Sequence, residues 1–103
     1  MLRRTNAWRL KSEEIRQKAN YLCEVCRDKG IIEYKNIEVH HIIPIKSRPD
    51  LYLENLNLIS LCNPDHDKAD RGEISADYLR HLAQMREGGE GERTPVGSEV
   101  NPA

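Results

Sequence analysis

No stretch of this 103-residue chain approaches the ~20 consecutive apolar residues that a membrane-spanning helix needs. Near the start, Arg3 and Arg4 have no hydrophobic segment behind them, so the expectation is a cytoplasmic protein without a secretory signal. Cysteine is scarce and odd in number, with three residues. That count does not supply a disulfide framework and suits a reducing compartment. No internal repeat is present, which excludes a solenoid or an array. The length allows one domain with one modest core, burying about two thirds of the surface of the unfolded chain. A core of that size gains from a staple.

The formal net charge of −1 conceals an asymmetry. Residues 1–86 hold 15 Lys/Arg against 13 Asp/Glu, whereas residues 87–103 hold Arg93 against four glutamates. The expected organisation is therefore a mildly basic domain over 1–86 and an acidic, Gly/Pro-rich, disordered tail over 87–103. Arg3, Arg4, Arg9 and Lys11 near the start, with Lys46 and Arg48 further on, are candidate nucleic-acid contacts. The early cluster also fits an ordinary solvated helix face.

Along the chain, Trp8, Ile15, Ala19 and Leu22 share one face of a helix expected over residues 5–22 and packed on the core. Ser12, Glu13 and Glu14 form a local start signal, so one helix and two remain alternatives. Cys23-Glu24-Val25-Cys26 predicts a tight turn presenting two thiols, closed by Gly30. Ile31-Ile32-Glu33 and Ile37-Glu38-Val39 predict short strands joined through Tyr34-Lys35-Asn36. Leu56, Leu58, Ile59 and Leu61 predict a buried strand pairing with the one before His40. Asn63 as N-cap with Pro64 at N1 starts a helix that Gly72 ends. A last helix begins at Ser75, with Ile74 and Leu79 as its hydrophobic staple.

The chemistry gathers between Glu38 and Asp70, which contain His40, His41 and His66. Two adjacent histidines on a strand and a third at a helix start can hold one divalent metal and leave one imidazole for proton transfer. That is the minimum equipment for hydrolysing a phosphodiester. Strict alternation sends His40 and His41 to opposite strand faces, so joint work requires the strand to end or twist there. Pro44, which cannot donate to a ladder, favours an ending. Asp70, four residues after His66 on the same helix face, reads either as a third ligand or as a surface carboxylate. His81 lies outside this stretch and reads as an exposed side chain.

His40-His41, Asn57 and His66 nine residues later, preceded by the CxxC, resemble the HNH endonuclease family over roughly residues 8–70. The resemblance implies an α+β fold, a small ββα-metal (His-Me finger) core with an N-terminal helix, a CxxC knuckle and a C-terminal helix. It implies a metal-dependent endonuclease in which His41 is the general base and His40 and His66 hold one Mg²⁺ or Mn²⁺. Asn57 would fix the loop carrying the base. Asn55 competes for that place, but only Asn57 has family-like spacing. The likeness to small phage-borne members implies DNA as substrate and genome processing or packaging beside a terminase. The small size makes a homodimer or another partner attractive, and nicking and double-strand cutting remain alternatives.

The departure from the family lies at the knuckle. Many relatives complete a four-cysteine zinc site with a second CxxC, and here Cys62 is followed at that spacing by Asp65. Cys23, Cys26, Cys62 and Asp65 then either form a structural Zn²⁺ site, unusual in its carboxylate, or pack as three small thiols beside an acid in a helix's first turn. No helix-turn-helix or other recognition module is evident, which disfavours a sequence-specific homing or restriction enzyme. The alternative from another class is a non-catalytic zinc-knuckle module that binds nucleic acid. Cysteine-based nucleophilic catalysis fits poorly, because CxxC thiols suit metal better than attack on a carbonyl.

Overall fold

The computed structural model describes residues 5–88, so Arg3, Arg4 and the tail beyond Gly88 lie outside the described residues. Thr5 caps the first helix, α1 (Asn6–Lys18), its hydroxyl accepting from the Trp8 N–H at 3.1 Å. Ser12 does not restart the helix. It is buried in mid-helix and its hydroxyl donates to the Arg9 carbonyl at 3.1 Å, a local bond that leaves α1 continuous.

The helix stops at Lys18, short of Leu22. Asn20 and Tyr21 take positive φ of 58° and 59°, and their N–H groups close on the carbonyls of Gln17 and Arg16 at 2.9 and 2.7 Å. This is a Schellman ending with asparagine in the usual glycine position. Tyr21 is a costly residue for that backbone region, and its hydroxyl donates back to Glu13.

The knuckle continues as a short helix, α2 (Glu24–Asp28), rather than a bare turn, with the Cys23 sulfur capping the Cys26 N–H. Residues 31–33 form no strand. Glu33 accepts one backbone bond, from Cys23 N–H at 2.9 Å, while Ile31 and Ile32 are exposed. The reason is competition for a partner: β1 (Glu38–His41) pairs instead with β2 (Leu58–Leu61), antiparallel, with His40 opposite Ile59 and His41 opposite Leu58. β2 is buried along its whole length. Leu58 joins Ile15, Val39 and Trp8 on the α1 side. Ile59 and Leu61 join Cys23, Val25, Leu79, Leu82 and Ala83 in the larger core cluster. Each such side chain contributes about 1.5–3 kcal/mol by leaving water, so this one strand organises most of a small core.

The open edge of β2 is closed by an ion pair. The Ile42 N–H bonds the Asn57 carbonyl at 2.8 Å, which by alternation turns the main chain of Leu58 and Ser60 away from β1. There Ser60 N–H donates to Glu24 at 2.9 Å and Leu58 C=O accepts from Arg86 at 2.7 Å. Glu24 and Arg86 pair with each other at 2.9 Å, with side chains 7% and 3% exposed. The pair stands in for a neighbouring strand and removes an edge that would otherwise invite strand addition.

Helix α3 (Asn63–Asp70) is capped by Cys62, one residue earlier than expected, so Pro64 falls at the second helical position. The Cys62 carbonyl already accepts from His66 N–H at 2.8 Å, which is the mark of a cap. Gly72, at φ 77°, ends the helix. Helix α4 (Ala76–Arg86) starts at Ser75 as expected, its hydroxyl accepting from Tyr78 N–H at 3.1 Å, with Ile74 packed against the same cluster as Leu79. Glu87 pairs with Lys18 and Arg86, both at 2.8 Å.

Candidate active site and metal centres

The knuckle closes because α2 brings Cys23 and Cys26 to the start of α3, where Cys62 caps the helix and Asp65 occupies its first turn. One carboxylate oxygen, Asp65 Oδ2, lies 3.2, 3.3 and 3.4 Å from the sulfurs of Cys23, Cys26 and Cys62. The sulfurs of Cys26 and Cys62 are 3.9 Å apart. A tetrahedron with Zn–S of about 2.3 Å and Zn–O of about 2.0 Å has edges of about 3.8 Å between sulfurs and about 3.5 Å from sulfur to oxygen. These four edges are close to the ones such an ion requires, and all four donor atoms lie within 4.8 Å of one another. Burial pushes the Cys23 thiol up to about 11 and pushes Cys26 up as well, with the Asp65 carboxylate adding to the shift. Burial would also raise Asp65, but hydrogen bonds from the three thiols outweigh it and hold the carboxyl below its ordinary value.

A second cluster joins β1 to α3. His40, His66 and Asp70 each offer one ligand atom, all within 4.8 Å of one another. Asp70 reaches His66 Nδ1 at 3.4 Å and His40 Nδ1 at 3.8 Å, and the two imidazoles meet edge to face at 4.9 Å. Burial, with the neighbouring His66, pushes His40 down to about 4, against the pull of Asp70. His40 is thus neutral near pH 7, with a lone pair for a cation. Two nitrogens and one oxygen, partly open to solvent, fit a divalent ion that keeps further positions vacant.

His41 points the other way. As the last residue of β1 it leaves its neighbour on the α3 side and stacks on Trp8 of α1, with ring centroids 4.7 Å apart and planes 24° apart. The strand ends at His41, and the two imidazoles engage different partners, His40 meeting His66 and His41 meeting Trp8. Nε2 of His41 lies 3.0 Å from the Tyr52 carbonyl. A carbonyl can only accept, so Nε2 carries a proton, and in the neutral imidazole the lone pair is then on Nδ1. Asn57 clamps the segment that follows: its side chain accepts from Ile43 N–H at 2.8 Å and donates to Ile43 C=O at 3.1 Å. Asn55 serves elsewhere, joining Lys11, Glu14 and Glu87.

Of the basic residues, Arg9, Lys46 and Arg48 are exposed. Arg48 is held by Asp50 through two bonds of 2.9 and 2.7 Å. Lys11, a further candidate for phosphate contact, is engaged within the fold. It is half-buried and donates to Glu14 at 3.0 Å and Asn55 at 2.7 Å, because an ammonium beside fixed intramolecular acceptors is held by them. His81 is exposed, as expected. Sequence reasoning did not single out Tyr52, and took Trp8 only as a packing residue. No local pattern announces either contact, since both cross long stretches of chain.

Among the described residues no helix is long and apolar enough to cross a membrane. Residues 23–72 match the family model of HNH endonucleases. The fold is similar to the crystal structure of an HNH endonuclease from the deep-sea thermophilic bacteriophage GVE2, solved with manganese ion. The two are 26% identical, the match covers 70% of this chain and 77% of that one, and the TM-score is 0.65. Comparison with proteins of curated function gives no match. With the histidine–asparagine–histidine pattern carried on an α+β frame of this shape, this chain belongs to the HNH endonuclease family, and it is a nuclease.

Proposed function

We propose that the protein is a metal-dependent DNA endonuclease in which His41 is the general base and His40, His66 and Asp70 hold one divalent ion. The observation that carries this reading is the bond between His41 Nε2 and the Tyr52 carbonyl, at the strand end from which His40 turns toward His66 and Asp70. It leaves Nδ1 as the proton acceptor of the pair's second imidazole. His41 Nδ1 takes a proton from water, whose oxygen attacks phosphorus while the ester P–O bond opposite breaks. The departing oxygen takes its proton from solvent. Asn57 keeps the segment after His41 fixed through both main-chain groups of Ile43, and so acts by positioning. When bound, the ion would polarise the phosphate and stabilise the leaving oxygen. Two imidazoles beside one carboxylate favour Mn²⁺ over Mg²⁺, which prefers oxygen donors.

At the knuckle, Cys23, Cys26, Cys62 and Asp65 would hold a structural Zn²⁺, the staple that a core of this size needs. Duplex DNA as substrate and a role in phage genome processing follow from the likeness to a bacteriophage endonuclease; Arg9 and Lys46 are the exposed cations offered for phosphate contact. The non-catalytic zinc-knuckle reading accounts for the first centre but leaves the second without a purpose. The test is cleavage of supercoiled plasmid by wild type and His41→Ala, both shown folded, with Mn²⁺, Mg²⁺ or EDTA. Metal-dependent nicking or linearisation by wild type, lost in the variant, supports the reading. Absence of cleavage by wild type under every metal, with DNA or zinc still bound, would replace it with the binding module.

A further inference from the structure

We propose that Trp8 is a positioning residue for hydrolysis, its indole holding the plane of the His41 imidazole so that Nδ1 keeps one direction. The proposal rests on the reading of His41 as base and adds a function to a helix that lies before the segment matching the family model. The hydrogen bond from Nε2 to the Tyr52 carbonyl holds one edge of the ring, and the Tyr52 ring lies stacked near it at 6.0 Å. The indole adds a closer flat face, at 4.7 Å with planes 24° apart, that sets the plane of the imidazole.

The indole is itself held. It stacks on the Tyr52 ring at 5.6 Å; the Tyr52 hydroxyl is 3.0 Å from Thr5 Oγ1; and Thr5 caps the Trp8 N–H at 3.1 Å. Thr5, Trp8, His41 and Tyr52 therefore form a closed circuit in which each member orients the next. Packing alone does not require this. Ile15, Val39 and Leu58 are the buried members of the local cluster, and Trp8 sits half-buried at its rim.

The experiment compares wild type, Trp8→Phe, Trp8→Leu and Ile15→Val. Ile15 lies in the same cluster, so Ile15→Val reports the effect of a stability change alone. Steady-state cleavage of a DNA duplex gives kcat and KM below the melting temperature of every variant, and histidine ¹⁵N spectra give the tautomer of His41. The expected result for Trp8→Leu is a fall in kcat of about ten- to a hundredfold, with KM within about twofold of wild type. Its His41 ring ¹⁵N signals should broaden through exchange between orientations while keeping the Nε2–H pattern that the Tyr52 carbonyl imposes. Trp8→Phe, which restores a flat face, should recover most of the rate, and Ile15→Val should keep it. Trp8→Leu with wild-type kcat, a loss confined to KM, or an unchanged His41 spectrum would each overturn the proposal while the nuclease reading stands. A wild type that cuts DNA with no divalent ion would overturn that reading and the proposal together.

Discussion

The two clusters of metal-binding side chains share helix α3 yet are built to opposite specifications. At the knuckle, Cys23, Cys62 and Asp65 are at most 5% exposed and Cys26 is half-buried, and three sulfurs converge on one oxygen. At the second cluster, side-chain exposure rises from 12% at His40 through 27% at His66 to 56% at Asp70. A closed set of four soft and hard donors is the design of a structural ion; an open set of three is that of a catalytic one. One short helix contributes to both clusters because Asp65 is buried in its first turn while His66 and Asp70 lie on the side that meets His40 of β1.

The largest effect expected from breaking this contrast is at the knuckle. Removal of zinc with a strong chelator, or Cys62→Ser, should abolish cooperative thermal unfolding measured by circular dichroism, since structural zinc contributes about 10 kcal/mol or more in small domains. The same treatment at the open cluster should leave the fold intact. His66→Ala should melt close to wild type yet lose cleavage, and His41→Ala should lower kcat by about 10²- to 10⁴-fold.

Next in size is the ion pair on the open edge of β2. Arg86→Met should destabilise by about 3–5 kcal/mol in urea titration, because it leaves Glu24 buried without its counter-charge. Glu24→Gln combined with Arg86→Met should recover part of that loss. Asp65→Cys should retain zinc and fold, and its metal release to a chromogenic chelator should be slower than in wild type.

The smallest effect concerns acid. Hydrogen bonds from Lys18, Arg86 and Asn55 hold Glu87 at about 2 despite the opposing effect of burial, below the ordinary 4.5. A carboxylate depressed on folding contributes stability that is present above about pH 4.5 and lost as pH falls toward 2. Glu87→Gln should therefore flatten the urea midpoint over that window and leave the slope near neutrality unchanged.

How far this design was legible in sequence depended on whether its determinants were local. Ser75 and Gly72 mark helix limits through their own backbone and side chains, and the run from Leu58 to Leu61 announces a buried strand. The HNH pattern brought His40 and His66 into consideration together, helix spacing added Asp70, and the relatives' second CxxC pointed to Cys62 and Asp65. What escaped was long-range. Residues 31–33 have strand-like composition but lose the competition for a partner to β1. Asn20 and Tyr21 end α1 where apolar spacing alone would carry it to Leu22. Lys11, read as free charge, is engaged by Asn55, 44 residues away. Arg86 resembles any basic residue at a helix C-terminus until the fold buries it against Glu24.

The separation of a structural from a catalytic centre is tested most directly by metal content and cleavage in one preparation of His40→Ala/His66→Ala. The account predicts one tightly held zinc per chain, a wild-type melting transition, no measurable binding of Mn²⁺ and no plasmid cleavage. Loss of the zinc together with the fold, or cleavage that persists with Mn²⁺, would contradict it.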